Sequence, residues 1–405
     1  MQFPRDAYLL VLVMTSSSDH VVTTHTGSLP RSPELAELMV ARETGTADPD
    51  SLTRLPELVR DATRQVLESQ AEAGIDVGSD GEQGKIGYAT YVKERMSGFE
   101  GEAGALSLAD LDDYPEIAEQ ALDGLVTAMP SCTGPVRYTG DEELAEELKD
   151  LRAAIDAADE KAPSEVVVTA ASPGVIATYL ADQYYGSHES YLGALAEAMR
   201  TEYEAIVDAG FLLQIDCPDL AMGRHAQFAD VSIPEFRRAI AGHVEALNAA
   251  TAGLDPDRMR MHLCWGNYES PHHRDVDLAD IVDIVMTSRP RGVLMEAANP
   301  RHAHEWRVFE DHALPEDKIL VPGVIDTCSN YIEHPQLIAE RILRYARVVG
   351  IERVIAGTDC GFSTFASFQP IHPRIAWAKL ASLSEGARLA AEQLTSRARA
   401  VGASA

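Results

Sequence analysis

The run Val21-Val22-Thr23-Thr24-His25-Thr26-Gly27-Ser28-Leu29-Pro30 decides the fold class. It is β-branched, then breaks at a glycine and a proline, as a buried strand entering a loop does. In an open, doubly wound sheet the turn after the first strand is a glycine-rich phosphate cradle. Here Pro30 stands in that turn, and proline has no N–H to offer a phosphate. Seven further runs of this kind follow, at residues 76–83, 165–174, 211–220, 258–266, 292–299, 318–326 and 353–362. Between them lie Ala- and Glu-rich segments with apolar residues three to four apart, such as 192–207, 234–249 and 336–348. Eight strands alternating with helices predict an α/β fold, a closed (β/α)8 TIM barrel. One stretch, about 88–162, breaks the rhythm and reads as a helical and hairpin insertion after the second strand, packed over one barrel face. With no linker and no internal repeat, residues 21–405 read as a single domain. Residues 1–20 read as a disordered or frayed extension, with Met14 a candidate translation start.

Composition excludes several classes. Hydrophobic residues make up 45% of the 405 and charged residues 24%, the balance of a folded globular chain. A formal net charge of −30 repels phosphate backbones and anionic lipid, so nucleic acid and membranes are not expected partners. The 34 basic residues divide into 6 Lys and 28 Arg, a pattern of salt-adapted proteins and equally of GC-rich genomes. Five Cys form no disulfide framework and point to a reducing compartment, the cytoplasm. The apolar run at residues 7–14 is far short of a bilayer span, and Asp6 with no small-residue cleavage site speaks against a signal peptide.

Chemically able residues gather at the strand ends, where a barrel carries its active site. The first run ends in His25, Ser28 and Arg31, the second in Asp80 and Glu82, the fourth in Asp216, Cys217 and Asp219. The later runs end in His262 and Cys264, Glu296 and Asn299, Asp326 and Cys328, and Asp359 and Cys360. The sharpest signal is His262-Leu263-Cys264. Residues two apart on a strand share a face, and imidazole with thiolate is a zinc donor pair. Cys360 can add a second thiolate and Glu296 a carboxylate. The competing reading is a satisfied core histidine beside small buried cysteines. His272-His273 and His302-Ala303-His304 look like a second metal cluster and are read instead as residues shaping the mouth. Arg31 and Lys85 either hold an anionic substrate tail or pair with the abundant acids.

The pieces 24–31, Asp80-Gly81-Glu82, Gln214-Ile215-Asp216, His262-Leu263-Cys264, Glu296 and Thr358-Asp359-Cys360-Gly361 have the order and strand placement of a known family. Over residues 21–389 the chain resembles the C-terminal catalytic barrel of cobalamin-independent methionine synthase. It is more similar still to that family's short single-barrel relatives, which include epoxyalkane:coenzyme M transferase. The resemblance implies Zn2+ on His262, Cys264, Glu296 and Cys360. It implies a homocysteine ammonium on Glu82 and Asp216, and a homocysteine carboxylate on the turn at Thr26, Gly27 and Ser28. Carboxylates suit an ammonium and turn N–H groups suit a carboxylate.

The donor side departs from the family pattern. Tyr179 stands where the family stacks a tryptophan on folate, and Cys328 where it has a histidine that protonates the leaving folate. Cys217 replaces a glutamate next to Asp216. The resemblance therefore implies a zinc-dependent thiol S-methyltransferase making methionine from homocysteine. It leaves the methyl donor open between methylfolate, a methylcorrinoid protein and a small methyl donor. His25 and Asp359 are candidate proton donors to the leaving group. One alternative is epoxide opening with coenzyme M, but a sulfonate thiol wants Arg rather than two acids. The other is a metal-free barrel resembling uroporphyrinogen decarboxylase, which the His-x-Cys pair and Cys360 oppose.

Overall fold

A computed structural model describes residues 16–103, 107–121 and 129–402. Seven parallel strands run side by side in the order β1 (Val77–Ser79), β4 (Glu165–Ala171), β5 (Leu212–Asp216), β6 (Met259–Leu263), β7 (Gly292–Met295), β8 (Ile319–Ile325) and β9 (Gly357–Thr358). The leading segment closes the ring. Thr23 bridges Ala356 and Thr24 bridges Val77, so it lies between the last strand and β1. The expected TIM barrel is borne out, with the first run, residues 21–30, reduced to these two bridges. Strands β5 to β8 are buried along their whole length, as strands covered on both faces must be.

The outer helices form where the spacing predicts. Ile233–Ala250 begins at a capping box, Ser232 with Glu235, and turns Phe236, Ile240, Val244 and Leu247 inward. His188–Asp208 starts at Ser187, whose hydroxyl accepts from the Ser190 amide. Pro335–Val349 stops at Gly350, whose φ of 87° few other residues adopt.

The insertion after β1 carries an antiparallel hairpin, β2 (Met96–Ala103) with β3 (Met129–Tyr138), and then the helix Asp141–Ala158. It is tied to the barrel's outer layer through Glu202. The Tyr138 hydroxyl donates to Glu202 at 2.9 Å, and Arg95 lies 3.4 Å from the same carboxylate. Of the stretch read as a frayed extension, residues 1–15 lie outside the described residues. Ser16 is buried, and its hydroxyl donates to the Val354 carbonyl at 2.6 Å. No described helix is long and apolar enough to cross a membrane.

Candidate active site

Alternation along β6 turns His262 and Cys264 to the same side, toward the barrel axis. Cys360 arrives from the loop after β9. One nitrogen and two sulfurs of these buried residues lie within 4.8 Å of one another. The sulfurs of Cys264 and Cys360 are 3.2 Å apart, and His262 Nε2 is 3.8 Å from Cys360 Sγ. Glu296, just past β7, brings Oε1 to 3.8 Å from the same sulfur. A hydrogen bond from Cys360 favours the Cys264 thiolate, but burial and Glu296 carry its pKa up to about 11. Burial likewise pushes the Cys360 thiol well up. Two buried thiols facing a carboxylate need a divalent cation to ionise them, and N, S, S, O is a tetrahedral zinc donor set. The residues fit zinc.

The expected acids and turn lie around this cluster. Asp216 Oδ1 is 3.4 Å from His262 Nδ1, on the ring edge facing away from the sulfurs. Glu82 sits in the left-handed region at φ 55°, a strained setting for a side chain of its size. Its Oε1 accepts from Thr169 at 3.0 Å, while its buried Oε2 has no partner among the described residues. Burial raises the Glu82 carboxyl to about 7, with Lys85 opposing and Asp216 adding to the rise. Gly27 lies directly against it, since a Cβ there would meet Glu82 Oε1 at 2.6 Å. The turn is locked to the loop of Cys360. Thr26 N donates to Thr358 Oγ1 at 3.1 Å, and Phe362 N donates to the Ser28 carbonyl at 2.8 Å.

Comparison with known proteins gives this geometry a context. Residues 182–372 match the family described as "Cobalamin-independent synthase, Catalytic domain". The methionine synthase of Saccharolobus solfataricus is 25% identical over 377 residues, 92% of this chain and 95% of that one. That of Thermococcus kodakarensis is 26% identical over 369 residues, 91% and 93% of the two chains. This chain is similar to the cobalamin-independent methionine synthases. The fold agrees. A B12-independent methionine synthase from Shewanella sp. W3-18-1, solved with selenomethionine, superposes with a TM-score of 0.70 at 21% identity, covering 93% of this chain and 99% of that one. A vitamin-B12-independent methionine synthase from Listeria monocytogenes, described as putative, gives 0.61 at 19% identity over 90% and 98%.

Within the site, His25 and Asp359 have structural partners that do not suit proton donation. His25 Nδ1 accepts from the Gly27 amide at 3.3 Å, so the ring proton sits on Nε2 and faces Gln70 Oε1 at 2.8 Å. Burial lowers its pKa to about 4, so it stays neutral and braces the turn. Asp359 accepts from three successive amides, Ala297 at 2.8 Å, Ala298 at 2.9 Å and Asn299 at 2.8 Å. That grip aims Glu296. Arg31 donates to the carbonyls of Glu82, Lys85 and Ser363, and Lys85 donates to Thr169. Both cations are engaged by the barrel interior, with Arg31 Nε alone left without a partner among the described residues.

On the donor side Tyr179 accepts from the Tyr88 hydroxyl at 3.1 Å, and both rings pack edge-on against Phe365. Cys328 is half-buried, with Sγ 3.4 Å from Asn267 Oδ1, which belongs to the loop after β6. Cys217 lies in the apolar core, its thiol toward the Ile215 carbonyl. Sequence reasoning singled out neither Tyr88 nor Phe365.

Of the four histidines read as mouth-shaping, His272 and His302 join a hub around Asp275, while His273 and His304 are exposed and His273 pairs with Asp113. Asp275 has His225 Nδ1, His272 Nδ1 and His302 Nε2 each at 3.0 Å. His302 also donates to Glu305 at 2.8 Å and stacks at 4.2 Å on Trp265. The Trp265 amide donates to Glu296 Oε1 at 2.7 Å. Asp110, from the insertion, accepts from the Tyr268 hydroxyl at 3.1 Å.

Proposed function

We propose that this chain is a zinc-dependent thiol S-methyltransferase that methylates homocysteine to methionine, as one catalytic domain over residues 21–405 in the cytoplasm. The observation that carries this reading is the unpartnered oxygen of Glu82, buried beside a turn and close to a His-Cys-Cys-Glu cluster. A sealed carboxylate oxygen with no donor calls for a cationic one from a ligand. The ammonium of an amino-acid thiol supplies it. The named relatives, which are methionine synthases, support the same acceptor.

His262, Cys264, Glu296 and Cys360 would hold the metal, which when bound supplies the Lewis acidity that makes a thiol nucleophilic at neutral pH. Glu82 and Asp216 hold the ammonium, and the turn at Thr26, Gly27 and Ser28 receives the carboxylate. Asp216 also faces the Nδ1 edge of His262 and so orients the ring. Tyr88, Tyr179 and Phe365 form an aromatic wall on which a flat methyl donor packs. Methylfolate and a methylcorrinoid protein are the two donors to test against it.

The decisive experiment is metal analysis of the purified chain, then thiol binding followed at the metal by X-ray absorption. About one zinc per chain and a new sulfur ligand with homocysteine are expected. Tighter binding of coenzyme M, with no response to homocysteine, would replace this reading with epoxide opening.

A further inference from the structure

The two recognition elements sit on separate strands, and one buried side chain joins them. Along β5, Gln214 and Asp216 alternate onto the barrel interior. Their register partners on β6 are Arg260 and His262. The Asp216–His262 rung faces the site and the Gln214–Arg260 rung lies just beneath it. Gln214 is fully buried and all its polar atoms are engaged. Its amide nitrogen donates to Asp216 Oδ1 at 2.7 Å and to the Thr26 carbonyl. Its oxygen accepts from Arg260 Nε at 2.8 Å. Because a guanidinium only donates, that contact fixes which way the amide points. Arg260 then donates to Thr24 Oγ1 and to the His25 carbonyl, both at 2.7 Å. The carboxylate turn and an ammonium-binding acid are thus bolted to a single amide.

We infer that Gln214 is a specificity-determining positioning residue. It sets the spacing between Asp216 and the turn at residues 26–28, and so selects thiols that carry an ammonium and a carboxylate on one carbon. This rests on the proposed reading of the site as one for an amino-acid thiol. Gln214 touches neither the metal ligands nor the substrate. Its loss should change which thiol binds without changing whether metal binds.

The test uses the metal-loaded chain, with cobalt replacing zinc so that thiol binding is read from visible absorption. L-homocysteine is compared with 2-mercaptoethanol, a thiol with neither charged group. Gln214→Glu keeps the shape and the bond from Arg260 but turns the donor into a repelling oxygen. Gln214→Met removes both ends of the tie. Each variant is expected to load a full equivalent of cobalt and bind 2-mercaptoethanol like the wild type. Each should lose about ten-fold or more in homocysteine affinity, the effect of one misplaced charge-assisted hydrogen bond. If Gln214→Met does not fold, Gln214→Glu carries the measurement. Unchanged homocysteine preference in a folded variant overturns the inference, and so does equal weakening of both thiols. The wild type reports separately on the site itself. If it does not prefer homocysteine, the amino-acid-thiol reading falls, and this inference with it.

Discussion

Cys264 and Cys360 are the residues on which the metal assignment turns. Cys264→Ser and Cys360→Ser should each lose most of the zinc, read by elemental analysis. Cys217→Ser should leave it unchanged, because that thiol points into the core. Full zinc in either of the first two variants would refute the ligand set. Glu82 carries the second prediction. Its carboxyl, raised to about 7, must be ionised to hold an ammonium. Homocysteine affinity should therefore climb as pH rises through 7 more steeply in the wild type than in Glu82→Gln. That variant should bind roughly ten-fold more weakly at pH 8 with unchanged zinc. Identical pH profiles would remove Glu82 from the site. The His262-x-Cys264 pair was legible because strand alternation needs only sequence spacing. The roles of His25 and Asp359 were not. A histidine and an aspartate at strand ends look like acid–base groups until their partners are seen, and here those partners are Gln70 and three loop amides. Gln214 stood in the Gln-Ile-Asp piece, but its role and that of Arg260 were not legible for a related reason, since nothing local marks a polar residue as facing into a barrel.

At the scale of elements, the eight strands and the insertion were legible from runs and periodicity. The hub at Asp275 was not, because its members come from three barrel loops and from Asp110, 165 positions before Asp275. Burial works against charge on His272 and His302, yet hydrogen bonds to Asp275, joined at His302 by Glu305, carry them up to about 9 and about 10. Both values lie above the unfolded 6.5. Their stabilisation is therefore complete below pH 6.5 and is lost as pH rises through 9 to 10. The melting temperature should fall between about pH 6.5 and 10, and His302→Gln should flatten that fall. An equal slope in both proteins would show that the hub stays charged, or never was. Because Trp265 stacks on His302 and holds Glu296 through its amide, zinc affinity should weaken over the same alkaline range.

The whole molecule carries a net charge of −30, and its effect on stability separates two readings of the arginine-rich composition. Self-repulsion reaches roughly 10 Å at 0.1 M salt but only about 3 Å at 1 M. If the acidity is salt adaptation, the melting temperature should rise steeply from dilute buffer to molar KCl. A flat or falling curve would leave genome composition as the explanation. The closure of the ring has a consequence for how the protein is made. Thr26 bonds Thr358 and Ser28 bonds Ser363, across 332 and 335 positions. A ribosome releases the turn more than 330 residues before these partners. Until those partners emerge the leading segment has no neighbour on one side, an open edge prone to the wrong pairing. Ligand capture is delayed in the same way, because His262 and Cys264 emerge about a hundred residues before Cys360. A nascent chain stalled short of residue 356 would hold a formed β5–β6 pair, three of the four proposed metal ligands and a turn anchored on one side only. Pulse-labelled chains of that length should be far more protease-sensitive than chains only a few dozen residues longer.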